Sequence, residues 1–156
     1  MPTISKLTNN EKSPYTHVAK LDFNDLITIG NGGTLAIADI PAGGSVLLCT
    51  VINTVDIAGS SSLVIDVGTT LADPDEFINA LDVDAMTVNL PTSNTGDTMV
   101  QVAGNSTILG GALPVKPVSA LTPVYIKVTD AAIASLTAGE IVIGLTILDP
   151  LKYLVA

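Results

Sequence analysis

The sequence predicts an all-β fold, an antiparallel sandwich or barrel with one short helix, and three observations carry that prediction. Apolar and polar residues alternate at a period of two over many short stretches. Clusters of Gly, Pro, Asn and Asp punctuate those stretches. One long phrase, a turn followed by an apolar strand, is written twice, as AIADIPAGGSVLLCTVI over residues 36–52 and AIASLTAGEIVIGLTIL over 132–148. Ile37 matches Ile133, Ala42 and Gly43 match Ala138 and Gly139, and Val46, Thr50 and Val51 match Val142, Thr146 and Ile147. Two such strands can be neighbours in a core sheet, although all-β chains also produce such echoes by chance.

Residues 1–14 are polar, carry Lys6, Glu11 and Lys12, and end at Pro14, which predicts a mobile or extended N-terminal arm. Ala19, Leu21 and Phe23 alternate with Lys20 and Asp22 as a half-buried strand does. Asn24-Asp25 predicts a turn, Leu26 to Ile29 more strand, Gly30-Asn31-Gly32-Gly33 a break, and Thr34 to Ala38 a strand again. Pro41 fixes φ at the first corner of the next turn, while Gly43 and Gly44 accept the positive φ that other residues resist. In the strand that follows, Val46, Leu48, Thr50 and Ile52 fall on one face and Leu47, Cys49, Val51 and Val55 on the other. Both faces are apolar, which predicts a central strand. Leu63, Ile65 and Val67 make the next one.

The one expected helix is DPDEFINAL, residues 73–81. Asp73 is a natural N-cap, Pro74 suits the first helical position, and Glu76 stands where a capping box needs it. Phe77 and Leu81, four apart, would pin it to a sheet. Met86 to Leu90 reads as a strand stopped by Pro91, TSNTGD as a turn, Met99 to Val102 as a strand, and Gly104-Asn105 as a turn. Thr107 to Val115 is interrupted by Gly110-Gly111 and bounded by Pro114 and Pro117, which suits an edge or a loop. Val124, Ile126 and Val128 alternate cleanly, and Glu140 to Leu148 is the last strand, ended by Pro150.

Length sets one domain: 156 residues bury about two-thirds of the surface of the unfolded chain. Hydrophobic residues make up 47% and charged ones 13%, so either the interior is unusually apolar or something else covers part of the surface. The apolar runs stay far below the ~18 residues that span a bilayer, so no membrane partner is expected. MPTISKLTNNEKSPY has neither an apolar core nor a small-residue cleavage site, so synthesis without a signal peptide, in the cytoplasm, is expected. The single cysteine, Cys49, lies in a strand pattern where a buried, inert thiol is expected. Fifteen acidic residues against six lysines and no arginine give a net charge of −9. Phosphate backbones are recognised by clustered Lys and Arg, so nucleic acid is excluded as a ligand.

Chemistry is sparse. His17 is the only histidine, no second ligand stands beside it, and the G-x-S-x-G elbow of a hydrolase is absent, so no enzyme, no catalytic residue and no metal ligand is assigned. Asp73, Asp75, Glu76, Asp82 and Asp84 form an acidic cluster without the residue order of an EF-hand, and whether it binds calcium stays open. Residues 30–33 lack the Lys and Ser/Thr of a phosphate loop. No cofactor is expected. Two Phe, three Tyr and no Trp leave few platforms for a sugar ring.

The order of these phrases carries a resemblance. A polar arm, the strand KLDFNDLI, the Ile40-Pro41-Ala42-Gly43 corner, the DPDEFINALDV insertion and the closing strand after Ala138-Gly139 resemble the capsid decoration, or cement, proteins of tailed bacteriophages, over most of residues 18–149. The resemblance implies a jelly-roll-like β-sandwich that oligomerises, as a trimer or a dimer, on the outer surface of a virion and holds neighbouring major capsid protein subunits together. The polar residues 1–14, able to lie along a capsid surface, and the apolar tail Leu151–Ala156, around Tyr153, long enough to join a neighbour's sheet or core, are the expected contact segments, with residues 15–150 as the sandwich domain. The alternative is a tail or baseplate adhesion module that binds a host-surface glycan or protein.

Overall fold

The computed structural model describes residues 1–6, 14–96 and 117–153. Its strands are β1 (Thr3–Lys6), β2 (His17–Asp22), β3 (Gly33–Ile40), β4 (Ser45–Ala58), β5 (Val64–Gly68), β6 (Ile78–Asp82), β7 (Thr92–Ser93), β8 (Thr122–Thr129) and β9 (Ala138–Leu148), with one α-helix, α1 (Phe23–Ile29). They form two antiparallel sheets, β1-β2-β9-β4-β7 and β3-β8-β5-β6, the all-β sandwich that the sequence predicts. Pairing is nested: β2 with β9, β3 with β8, β4 with β7, β5 with β6. Successive pairs alternate between the sheets, as though one long hairpin had been folded over on itself.

The sheets share one core. Leu21, Val51, Ile141 and Ile143 from the five-stranded sheet and Ile65, Val67, Ile126 and Val128 from the four-stranded one are fully buried. The two copies of the repeated phrase supply the central pair of the larger sheet: Val51 lies opposite Ile143, Cys49 opposite Leu145 and Val46 opposite Ile147. The register shifts between Val46 and Leu48, leaving Leu47 as an extra residue. That bulge turns Val46 inward, onto the face of Cys49 and Val51, where strict alternation places it outward. Further irregularities flank Val55, which is largely exposed and not on the buried face with Cys49 and Val51.

The helix is not where the sequence reading puts it. Residues 73–75 are irregular, Glu76 and Phe77 form a bend, and Ile78–Asp82 is strand β6. Glu76, read as a helix-capping side chain, instead accepts hydrogen bonds from the amide and hydroxyl of Thr69 (2.8 and 3.3 Å) and from the Thr70 hydroxyl. The Phe77 amide donates to Val67 (2.8 Å), so pairing with β5 overrides the local helical signal. The helix that forms, α1, occupies the stretch expected as a turn and continuing strand. Asp22 caps it, its carboxylate accepting from the amides of Asn24 and Asp25 while Asp25 reaches back to the Asp22 amide. Phe23 belongs to this helix and not to β2. Ile27, Thr28 and Ile29 are β-branched and imitate a strand, but Leu26 is fully buried and anchors the helix.

Met86 to Leu90 is a bend followed by a turn and not a strand: Asn89 has φ 63° and its amide donates to the Asn53 carbonyl (2.8 Å). Part of the expected turn at 92–97 is β7, and Asn94 prolongs it by exchanging hydrogen bonds with the Cys49 backbone (2.8 and 3.0 Å). The strands expected at Met99–Val102 and Thr107–Val115 and the turn at Gly104-Asn105 lie outside the described residues.

Candidate docking site at the open seam of the sandwich

Pro14, Tyr15 and Thr16 fasten the N-terminal segment to β9. The Thr146 hydroxyl donates to the Pro14 carbonyl, and the Thr16 amide donates to Leu145 (2.8 Å). The Thr16 hydroxyl accepts from the Ile147 amide (2.9 Å) and lies 3.2 Å from the Leu145 carbonyl and 2.9 Å from His17 Nδ1. A hydroxyl has one proton to give. With that proton on the Leu145 carbonyl, His17 Nδ1 is the donor to Thr16, and the histidine is a structural member of the strand junction. Tyr15 lies across the sheet over Gly144, where a Cβ would stand 2.6 Å from the ring.

Beyond this anchor, β1 pairs with β2 from Thr3 opposite Lys20 to Lys6 opposite His17. Among the described residues β1 is thus one edge of its sheet, and β3 is one edge of the other. Between the two edges a cavity of about 430 Å³ opens. Ile4 and His17 line it from the β1–β2 side, Ile37 and Asp39 from β3, Ile147 from the end of β9, and Leu121 from the approach to β8. Lys152, in the turn after β9, completes its rim. Ile37 and Ile147 are buried at its base, whereas Ile4 and Leu121 are 45% and 67% exposed. The Asp39 side chain makes no hydrogen bond or ion pair among the described residues, while Lys20 and Lys127 are paired with Glu140 (2.9 Å) and Asp73 (3.3 Å).

Both expected contact segments therefore touch one place: the arm through Ile4 and Ser5, the tail through its root at Lys152. Residues 7–13 and 154–156 of those segments, and the side chain of Tyr153, lie outside what the structure describes. No protein-family model, no curated protein and no solved structure matches this chain. The fold and the seam stand on strand pairing and side-chain placement alone.

The remaining residues singled out in the sequence are scattered. Cys49 is fully buried at the centre of the core, and desolvation pushes its thiol far above the ordinary range. Of the acidic cluster, Asp73 faces Lys127, Glu76 binds the Thr69-Thr70 corner, and Asp82 accepts from the Ser62 hydroxyl and the Asp84 amide (3.3 and 3.1 Å). Among the described residues no three metal-binding side chains converge. Partial burial opposes the ionisation of Glu76, yet the Thr70 hydroxyl and the surrounding amides hold its carboxyl below the usual range. Sequence reasoning missed two buried acids that shape the backbone: Asp66 accepts from the Ala80 amide (2.6 Å), and Asp130 from the Ala132 amide (2.8 Å).

Proposed function

We propose that this protein is a structural component of a tailed-phage virion that sits on the outside of the capsid and holds neighbouring major capsid protein subunits together. The observation that carries the reading is the convergence of the arm and the C-terminal turn on the open seam of the sandwich. The nested strand pairing supports describing the sandwich as a jelly roll, an architecture shared by viral capsid and lectin domains. A net charge of −9 keeps such a protein from packaged nucleic acid.

A decoration protein gains its hold by multiplicity. One micromolar contact is worth about 8 kcal/mol, and a homo-oligomer, trimeric in this reading, raises the effective concentration of every further contact once the first has formed. The test is removal of residues 1–13, which spares the Pro14–Thr16 anchor on β9. The expected product is folded and of unchanged oligomeric state but no longer sediments with empty capsids. Undiminished sedimentation would refute the arm as anchor. Imaging of virions that places the chain on the tail, or on no part of the particle, would remove the capsid reading itself.

A further inference from the structure

The edge of β3, open among the described residues, is a second, distinct feature of the seam. Among the described residues β3 ends its sheet, so along one side half of its amides and carbonyls face away from β8. Its pairing with β8 is irregular between Ala36 and Ala38, which leaves Ile37 as an extra residue pointing into the core at the base of the cavity. An edge of backbone groups unpaired among the described residues, beside a hollow with an apolar base of Ile37 and Ile147, is the arrangement that accepts an extended peptide: the backbone supplies hydrogen bonds and the hollow selects a side chain. The hollow is more than ten times the ~30 Å³ share of one water molecule, room for a large apolar side chain. Ile4 and Leu121 expose apolar surface at its mouth, and Asp39 offers a carboxylate unpaired among the described residues.

We propose that an extended segment of the partner protein adds to the β3 edge as a fifth strand of the four-stranded sheet. It seats one large apolar side chain between Ile4 and Leu121 and sets a lysine or arginine against Asp39. Charge selects the donor. The Asp39 carboxylate at the rim and the acidic balance of the chain complement a basic segment of a different protein better than an acidic strand of a second copy. The partner's identity rests on the capsid reading above; the edge, the hollow and the unpaired carboxylate do not.

The experiment uses the full chain to select from a displayed library of random dodecapeptides. Enriched peptides are expected to alternate apolar residues with Lys or Arg. They should bind Leu121→Glu and Asp39→Lys at least about ten-fold more weakly, and slow amide exchange at Ile37 to Ile40. Both substitutions lie at the rim of the cavity, and an unchanged circular dichroism spectrum and melting temperature confirm the fold of each variant. No enrichment, equal binding to both variants, or slowed exchange confined to another strand overturns the proposal. Selection of the expected peptides by a protein that ignores capsids would keep the β3 site and remove the capsid reading. Capsid binding that survives both substitutions, with no peptide selected, would do the reverse.

Discussion

Residues 36–52 and 132–148 are close to the same sequence, yet only their second halves fold alike. Ser45–Ile52 and Ile141–Leu148 are adjacent antiparallel strands at the centre of the larger sheet, whereas the lead-ins part company. Ala36–Ile40 is the end of β3, paired with β8, but Ile133–Ser135 is a turn of 3₁₀ helix. The cause lies outside the phrase. Asp130 takes the Ala132 amide with its side chain and the Ile133 amide with its carbonyl (2.8 and 3.2 Å), and so curls the chain before the second copy can extend. The first copy has β8 beside it and stays extended. Alternating apolar residues decide a strand wherever two faces are buried, while a short mixed lead-in takes its form from its neighbours.

The largest expected effect comes from breaking what the copies share. Ile143 is fully buried opposite Val51, so Ile143→Ala removes packing from the middle of the core and should destabilise the fold by about 3 kcal/mol in urea. A loss below about 1 kcal/mol would mean that the central pairing contributes far less than its burial indicates.

The copies also differ where they align: Leu48 of the first corresponds to Gly144 of the second. Leu48 is half-buried, and Gly144 leaves space for the Tyr15 ring. Gly144→Leu makes the second copy read like the first and drives the ring off the sheet, with an expected loss of about 2 kcal/mol. In a Tyr15→Ala background the same change should lose much less, because the clash is gone. Equal losses in both backgrounds would show that Gly144 serves some purpose other than receiving Tyr15.

How much of this was legible in the sequence follows from the same contrast. β4, β8 and β9 could be read because their side chains alternate over long, doubly buried stretches. The helix could not. Asp73, Pro74 and Glu76 spell a cap more clearly than Asp22 and Asp25 do, but Glu76 is drawn to Thr69 and Thr70 by the pairing of β5 with β6, a contact that no local pattern reports. The arm was visible as polar sequence; its attachment through Thr16 and Tyr15 depends on β9, almost 130 residues away. The seam cavity was invisible. It joins Ile4, Ile37, Leu121 and Ile147, four apolar residues with no motif among them, and it exists because two sheet edges stand apart.

The smallest expected effect sharpens the comparison at its turn. Glu140 takes the place that Gly44 holds in the first copy. Lys20, 2.9 Å away, and then the Thr54 hydroxyl, 2.7 Å away, hold its carboxyl below the usual range. A carboxyl lowered in the folded state favours folding when ionised. Its contribution is complete above the unfolded value of about 4.3 and fades as the pH falls through the lower folded value. Lys20 is exposed and the pair is screened, so the contribution near neutrality is about 0.5 kcal/mol or less, and smaller still in high salt. Glu140→Gln should therefore lower the melting temperature slightly at pH 7 and not at all at a pH well below the folded value, so that the two curves converge on acidification. Curves that stay parallel would assign the effect of the substitution to the Thr54 hydrogen bond, which a neutral amide can keep or lose at any pH, and would leave the charge on Glu140 without a part in fastening β9 to β2.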